Sequence, residues 1–191
     1  MRYDPAKHHR RSIRLKGYDY TSPGAYFVTI CVQDRECVLG EVIDGEMQLS
    51  DRGRIAAESW VWLGEQYPYA TVDAWVVMPN HTHAIITIHD DCAGGSGTGG
   101  SGPGGSRTAP TTTRRKPLGR LVGAFKTVST KHINLICDTP GAPFWQRNYW
   151  EHVIRDEISY RRIYDYVEHN PARWQDDQLH PDAPPNPFNR G

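Results

Sequence analysis

Hydrophobic and polar residues alternate in several short stretches of the chain, which is the pattern of half-buried strands. The stretch 26–32 is rich in β-branched and aromatic residues and predicts a central strand. A similar stretch at 38–49 is interrupted by Asp44-Gly45, a pair that readily adopts the positive φ angles of a tight turn. This second stretch therefore predicts a β-hairpin.

Two more strands are predicted at 74–78 and 81–88, separated by a turn or bulge at Pro79-Asn80. Successive side chains of a strand point to opposite faces. One face of the second strand carries Thr82, Ala84, Ile86 and Ile88 and is typical of a core. The other carries His81, His83, Ile85 and Thr87. This face becomes polar at its histidine end, as expected where a site opens at the rim of a sheet.

Helical spacing of apolar residues predicts three helices. The first is capped by Ser50 or Asp51 and runs to about Gln66, the second covers 118–136, and the third covers 156–170. The aromatic segment 144–154 between the last two predicts an extended or strand-like conformation.

The 191 residues fit one domain. We assign it to 21–174, after a basic N-terminal arm at 1–20 and before a Pro-rich tail at 175–191. Within it, residues 92–117 are dominated by Gly, Ser, Thr and Pro. This segment is longer than the roughly 12–15 residues usual for a structureless loop, so we predict a disordered insertion.

The 22 basic and 22 acidic residues cancel, so any surface that binds nucleic acid has to be local. The four cysteines show no Cys-x-x-Cys spacing, which favours reduced thiols. No apolar run approaches the roughly 18 residues that a membrane span requires. These features predict a soluble cytoplasmic protein without membrane contact.

His81 and His83 are two residues apart in a predicted strand, so their rings point the same way. Two neutral imidazoles on a stiff strand supply half of the coordination shell of a divalent metal. A third ligand must then come from elsewhere. The alternative is a half-buried strand on which one ring is packed and the other faces water.

The third predicted helix contains a tyrosine that packing does not explain. A core-facing stripe is formed by Tyr160, Ile163, Tyr164 and Val167. Tyr166 lies about 200° around the helix from Tyr164 and shares its face with Arg162 and Asn170. A phenol needs nearby positive charge, or a metal-polarised phosphate, to act as a nucleophile.

Arg162 could supply that charge, and the amide oxygen of Asn170 could be the missing metal ligand. Alternatively, Tyr166 is simply exposed and Asn170 caps the helix before Pro171. The residues alone leave both interpretations open.

Three blocks of sequence, 76–83 (VVMPNHTH), 145–156 (WQRNYWEHVIRD) and 164–171 (YDYVEHNP), together resemble the single-tyrosine HUH transposases and, within them, the REP-associated tyrosine transposases. The resemblance extends from about Arg11 to Trp174. It implies an α+β fold, a ferredoxin-like antiparallel sheet with helices packed on one side. It also implies that His81 and His83 bind the metal, here around Thr82 where the family usually has an apolar residue.

The resemblance further implies that Tyr166 is the nucleophile and that Asn170 completes the metal shell. The implied reaction cleaves single-stranded DNA near a palindromic hairpin with Mg²⁺ or Mn²⁺, leaving a 5′-phosphotyrosine and a free 3′-hydroxyl. A monomer and a homodimer both remain open, as do action of the tyrosine in cis and in trans.

Affinity for DNA depends on phosphate neutralisation and on stacking of exposed bases. The candidate DNA-binding residues are Arg10, Arg11, Arg14 and Lys16, followed by Lys126, Arg155 and Arg162. For each of them a solvated surface charge is an equally good explanation. The aromatic residues Trp145, Tyr149 and Trp150 could stack bases, but we expect a buried aromatic cluster.

Two rival functions are consistent with the residues. One is a metal-dependent hydrolase of a small molecule, which would draw further ligands from His89, His132 or His152. The other is a protein that binds hairpin DNA without cutting it.

Overall fold

The protein is described by a computed structural model over residues 17–90 and 116–184. Its strands are β1 Gly24–Cys31, β2 Gly40–Ile43, β3 Glu46–Leu49, β4 Ala70–Met78, β5 His81–Ile88 and β6 Trp150–Ile154. Its helices are α1 Asp51–Gln66, α2 Leu118–Cys137 and α3 Glu157–Glu168, and two 3-10 turns span Gln33–Arg35 and Pro171–Asp176. The predicted basic residues at 10–16 and nearly all of the predicted insertion at 92–117 lie outside these ranges.

Four strands form one antiparallel sheet in the order β4-β5-β1-β6. β2 and β3 form a separate hairpin, in which Asp44 and Gly45 have φ values of 52° and 80°. The predicted antiparallel sheet with packed helices is therefore confirmed, as is the Asp-Gly turn. β4 begins at Ala70 rather than at residue 74, because a bulge between Val72 and Ala74 interrupts the alternation that the prediction relied on.

The helix boundaries follow from their caps. The Ser50 hydroxyl oxygen accepts a hydrogen bond from the Gly53 backbone N–H, and the Asp156 carboxylate accepts one from the Ser159 N–H. These bonds satisfy amide groups that have no partner in the first turn of a helix. The three predicted helices are confirmed, although α3 is shorter at both ends than the predicted range 156–170.

The main hydrophobic core lies between one face of the sheet and helices α1 and α2. Trp60 of α1 and Phe125 of α2 stack there with ring centroids 3.9 Å apart, and both are fully buried. Alternate residues of β1 and β5 cover this face of the sheet, namely Tyr26, Val28, Ile30, Ala84, Ile86 and Ile88. The prediction of the core-facing side of β5 is confirmed.

Helix α3 lies on the other face of the sheet, where it packs against β4 and β5. The expectation that the helices share one side holds for α1 and α2 and is wrong for α3. A second, smaller apolar cluster causes this, because Val167 and Ile163 of α3 pack with Phe27 and Ile85. The sheet is thus covered on both faces, and α3 lies on the face that carries the histidine pair.

The predicted apolar stripe of α3 is wrong at one position. Tyr164 is 37% exposed, whereas Tyr166 packs with the second cluster. The helical period identifies which residues lie on the same side of α3. Which side is buried depends on how the helix packs on the sheet. Tyr164 instead lies along the neighbouring Tyr160 ring, with centroids 6.3 Å apart.

Two expectations concern the chain more generally. In the described ranges, Cys31, Cys37 and Cys137 are free thiols, whereas Cys92 lies outside those ranges. No helix among the described residues has the length and apolar character needed to cross a membrane.

Candidate active site

His81 and His83 begin strand β5 and point to the same face of the sheet, as their spacing predicts. Both side chains are buried, with exposures of 0% and 3%. Their Nε2 atoms are 3.0 Å apart, so the two rings direct one nitrogen each to a common point. This convergence is the geometry required of two ligands to one ion.

Partners on the far side of each ring hold the pair in place. His81 Nδ1 is 2.8 Å from Asn80 Oδ1, while the Asn80 amide nitrogen donates to the Leu179 carbonyl at 2.7 Å. Asn80 Oδ1 must then accept, so the proton of His81 is on Nδ1 and its Nε2 carries a lone pair. His83 Nδ1 is 2.9 Å from the Thr29 hydroxyl oxygen, which orients the second ring in the same manner.

Burial keeps both imidazoles neutral. It lowers the pKa of His81 to about 3, with a smaller contribution from the charge of Arg35. Burial also holds the pKa of His83 well below its ordinary range, and His81 lowers it further. A neutral imidazole is the form that binds a metal ion, so the pair is available as ligands near pH 7.

Tyr166 reaches the histidine pair from α3. Its hydroxyl oxygen is 3.3 Å from His83 Nε2, and its ring packs against Phe27 with centroids 6.0 Å apart. Burial raises the pKa of Tyr166 to about 12, and the carboxylate of Asp177 raises it further, whereas a hydrogen bond with Asn170 acts in the opposite direction. Tyr166 is partly buried against the second apolar cluster, so the alternative of a simply exposed tyrosine is wrong.

The sequence analysis missed Asp177. Its Oδ2 is 3.4 Å from the Tyr166 hydroxyl, and its ligand atoms lie within 4.8 Å of those of His81 and His83. Asp177 falls in the segment that we assigned to a tail. Trp174 was the available signal, because a tryptophan there favours burial, and its ring lies 5.9 Å from that of His81.

Asn170 is 2% exposed, and its Oδ1 atom is buried without a hydrogen-bond partner in the described part of the chain. The alternative role of Asn170 as a cap of α3 does not fit, since the residue at the C-terminal cap of this helix is His169. An unpaired buried carbonyl oxygen is costly unless something binds it. A cation between Asn170 and the histidines would remove that cost.

The donor set fits a divalent ion. His81, His83 and Asp177 form a group that could hold a metal, and the Asn170 oxygen adds a hard ligand beside them. Two imidazole nitrogens with two oxygens suit Mn²⁺, and Mg²⁺ accepts the oxygens readily. The geometry is compatible with either ion.

Three of the predicted DNA-binding residues can be located. The Lys126 ammonium donates to the carbonyls of Gln146 and Asn148 at 2.7 and 2.9 Å, and burial lowers its pKa to about 8. This places Lys126 in a structural role. Arg155 and Arg162 are exposed, at the end of β6 and on α3.

Arg162 was predicted to supply positive charge to Tyr166. The groups that shift the pKa of this tyrosine are instead Asp177 and Asn170. The electrostatic partner in this structure is therefore an acid from the following segment. Helical spacing places Arg162 one turn away, but its side chain lies in solvent.

The aromatic residues divide into two groups. Trp145 is buried, and its ring N–H donates to the Ser129 hydroxyl oxygen at 2.8 Å, as expected for a structural residue. Trp150 is 48% exposed, which makes the expectation of a buried cluster wrong for this residue. Strand alternation explains the difference, because Trp150 points to the face that carries α3, next to Phe27.

The additional ligands of a small-molecule hydrolase are not assembled here. His132 and His152 are exposed, and His89 contacts the Thr71 hydroxyl at the other end of β5. Among the described residues, the His/Cys/Asp/Glu group with metal-ligand geometry is His81, His83 and Asp177.

Known proteins place the chain in context. No family model matches it. A Haemophilus influenzae protein named "Uncharacterized protein" is 39% identical over 181 residues, which is 95% of this chain and 98% of that protein. Another protein of the same organism, named "Putative REP-associated tyrosine transposase", is 25% identical over 172 residues, or 90% of this chain and 84% of its own.

Among solved structures, a REP-associated tyrosine transposase bound to a REP hairpin matches with a TM-score of 0.52 and 20% identity. The match covers 86% of this chain and 74% of that one. The match to the solved structure shows that the two proteins share a fold. The sequence match to the second Haemophilus influenzae protein extends over 90% of this chain. The chain is therefore similar over most of its length to a protein named as a putative REP-associated tyrosine transposase, and it shares the fold of a solved transposase of that kind.

Proposed function

We propose that this protein is a transposase of the REP-associated tyrosine type. It would be a metal-dependent endonuclease and strand transferase that acts on single-stranded DNA next to a palindromic hairpin, through a covalent bond to Tyr166. The observation that carries the proposal is the 3.3 Å distance between the Tyr166 hydroxyl and His83 Nε2. A nucleophile beside candidate metal ligands is the arrangement that phosphodiester cleavage requires.

Asp177 is positioned to take the proton of Tyr166. The raised pKa means that the phenol is protonated near neutral pH, so the proton has to leave as the new P–O bond forms. Asp177 Oδ2 accepts a hydrogen bond from the hydroxyl at 3.4 Å, and Oδ1 is held by the Leu179 N–H at 2.6 Å. The second bond fixes the carboxylate so that Oδ2 faces the tyrosine.

His81, His83 and Asn170 would hold the metal, with Asp177 within ligand distance. When bound there, Mg²⁺ or Mn²⁺ would polarise the scissile phosphate and offset charge on its oxygens. The Tyr166 oxygen forms a bond to phosphorus, the bond to the 3′ oxygen breaks, and the 3′ oxygen leaves as a hydroxyl after protonation. Attack by another 3′-hydroxyl on the phosphotyrosine reverses these bond changes and joins strands without ATP.

Tyr166 and the histidine pair of one chain already meet, so we propose that the tyrosine acts in cis. This arrangement allows a monomer to complete the site. Hairpin DNA is the proposed substrate by analogy with the similar transposase bound to a REP hairpin.

The test uses labelled single-stranded hairpin DNA from the flanks of the gene, incubated with Mn²⁺ or Mg²⁺ and analysed on a denaturing gel. Wild-type protein should give a slower protein–DNA band that Tyr166→Phe and EDTA each abolish. Tyr164→Phe is the matched control, because this exposed tyrosine on the same helix should leave the band unchanged.

Two results would overturn the proposal. A band that persists in Tyr166→Phe would show a different nucleophile. Hairpin binding without any band, with both metals and all flanking palindromes, would establish the non-cutting DNA-binding function instead.

A further inference from the structure

The sheet face that carries the active site is only partly covered. Helix α3 lies across β4 and β5, while β6 is the edge strand on the opposite side of β1. Trp150 and His152 of β6 point to this face, and both are exposed. In the part of the chain that the structure describes, the β6 side of this face is therefore a shelf beside the tyrosine helix.

Aromatic rings connect the shelf with the active site. The rings of Trp150 and His152 are nearly parallel, with an interplanar angle of 5° and centroids 6.0 Å apart. The edge of Trp150 meets Phe27 at 5.7 Å, and Phe27 in turn stacks on His83 at 5.1 Å and meets Tyr166 at 6.0 Å. The shelf is thus one intervening ring away from the nucleophile.

Packing does not account for the exposed part of Trp150. A tryptophan that is 48% exposed on an edge strand leaves a large apolar surface in water, and edge strands usually carry charged residues that prevent association. An exposed aromatic surface continuous with an active site indicates contact with a ligand. The ligand has to be flat and apolar on its faces and to extend from a phosphate at Tyr166.

We propose that Trp150 and His152 form a stacking platform for an unpaired base close to the scissile phosphate. This inference rests on the proposed function, because it assumes single-stranded DNA at Tyr166. Bases stack on aromatic side chains regardless of their identity, so the platform orients the strand without reading its sequence.

The platform explains how a strand could be aligned for attack. A stacked base restrains the sugar and phosphate attached to it, which favours a defined position of the phosphorus atom relative to the tyrosine oxygen. The His152 ring lies two residues further along β6 and lengthens the platform along the strand, so more than one base can be accommodated.

The test uses a DNA hairpin with a short single-stranded flank that carries 2-aminopurine at successive positions. The protein is the Tyr166→Phe variant, which keeps the ring but cannot form the covalent bond. We expect 2-aminopurine fluorescence to be quenched at one or two positions near the cleavage site. Adding Trp150→Ala should remove the quenching, whereas Trp150→Phe should retain most of it.

Affinity gives a second readout. Stacking of one base contributes about 1–3 kcal/mol, so Trp150→Ala should weaken binding of the flanked hairpin by roughly 5- to 150-fold. Binding of a hairpin without the flank should not change. Val61→Ala on α1 is the control, since it also shortens an exposed apolar side chain, on the far layer of the protein.

The outcomes separate this inference from the proposed function. If wild-type protein forms the tyrosine adduct but Trp150→Ala changes neither quenching nor affinity, the platform is overturned and the cleavage function stands. If wild-type protein neither binds the hairpin nor forms an adduct, the proposed function fails and the platform fails with it.

Discussion

The two faces of the central sheet are built from the same strands but differ in what they bury. The face under α1 and α2 is covered by apolar side chains that end in the stacked pair Trp60 and Phe125. The face under α3 buries the histidine pair, with Asn170 and a half-buried Tyr166 beside it. Because successive side chains of a strand point to opposite faces, neighbouring residues belong to different faces. Thr82 faces α1 and α2, whereas His81 and His83 on either side of it face α3.

The difference shows that one face of the sheet stabilises the fold, whereas the other contains buried polar groups that oppose folding. Burying apolar surface stabilises the fold. Burying imidazoles as neutral rings and leaving the Asn170 oxygen without a partner oppose folding, and they are retained where chemistry requires them. The comparison therefore predicts that substitutions on one face change stability, whereas those on the other change activity.

Phe125→Ala should give the largest effect on stability. Removing a fully buried aromatic ring costs about 3–5 kcal/mol of the free energy of unfolding, because a cavity remains against Trp60. Urea denaturation measures this loss. Below its unfolding transition the variant should still form the tyrosine adduct, so a folded variant without adduct would break the separation between the faces.

Thr82→Val should have a smaller effect of the same kind. The Thr82 hydroxyl oxygen accepts from the Trp60 ring N–H at 2.8 Å and its proton goes to the Val76 carbonyl at 2.7 Å. Valine keeps the volume but removes the hydroxyl to which the buried Trp60 ring N–H donates, at a cost of about 1–3 kcal/mol. Thermal or urea unfolding tests this value. Metal binding by the neighbouring histidines should be unchanged, and a weakened metal affinity would show that the two faces are coupled.

Lowering the pH should decrease the free energy of unfolding, because the face under α3 buries His81 as a neutral ring. The pKa of His81 is about 3 in the folded protein and has its ordinary value of 6.5 when unfolded, so the unfolded chain binds more protons between these values. Stability due to this residue is present above pH 6.5 and falls as the pH decreases. Between pH 7 and 5.5 the loss should be about 1 kcal/mol.

The measurement compares wild type with His81→Gln in EDTA by urea denaturation at both pH values. The variant should lose about 1 kcal/mol less than wild type over this interval. Equal losses in the two proteins would mean that the His81 ring is not held neutral by burial.

Much of the fold could be predicted from local pattern. The Asp44-Gly45 turn, the Ser50 cap and the alternation in β5 act over a few residues, and each predicted the correct element. The bulge in β4 was missed because an extra residue shifts the alternation there. Tyr164 was assigned to the buried stripe although it is exposed, because the orientation of α3 depends on what it packs against.

The candidate site was predicted where its residues are close in sequence. The His81 and His83 spacing determined that both rings share a face, and the helical spacing of Tyr166 and Asn170 brought them together. Asp177 could not be found in this way, because its approach to the histidines depends on a segment that folds back across the site. The catalytic roles of Tyr166 and Asn170 and the metal itself remain proposals.

The sequence by itself determined most of the helices and strands and the side of β5 on which the histidines lie, and it indicated the resemblance to the REP-associated tyrosine transposases. Periodicity, caps and motifs act over a few residues, so their outcome does not depend on the rest of the molecule. Only the tertiary structure decided that α3 covers the second face, that Asp177 replaces Arg162 beside Tyr166 and that Trp150 stays exposed. These features depend on contacts between distant segments, and a local pattern carries no information about which surfaces will meet.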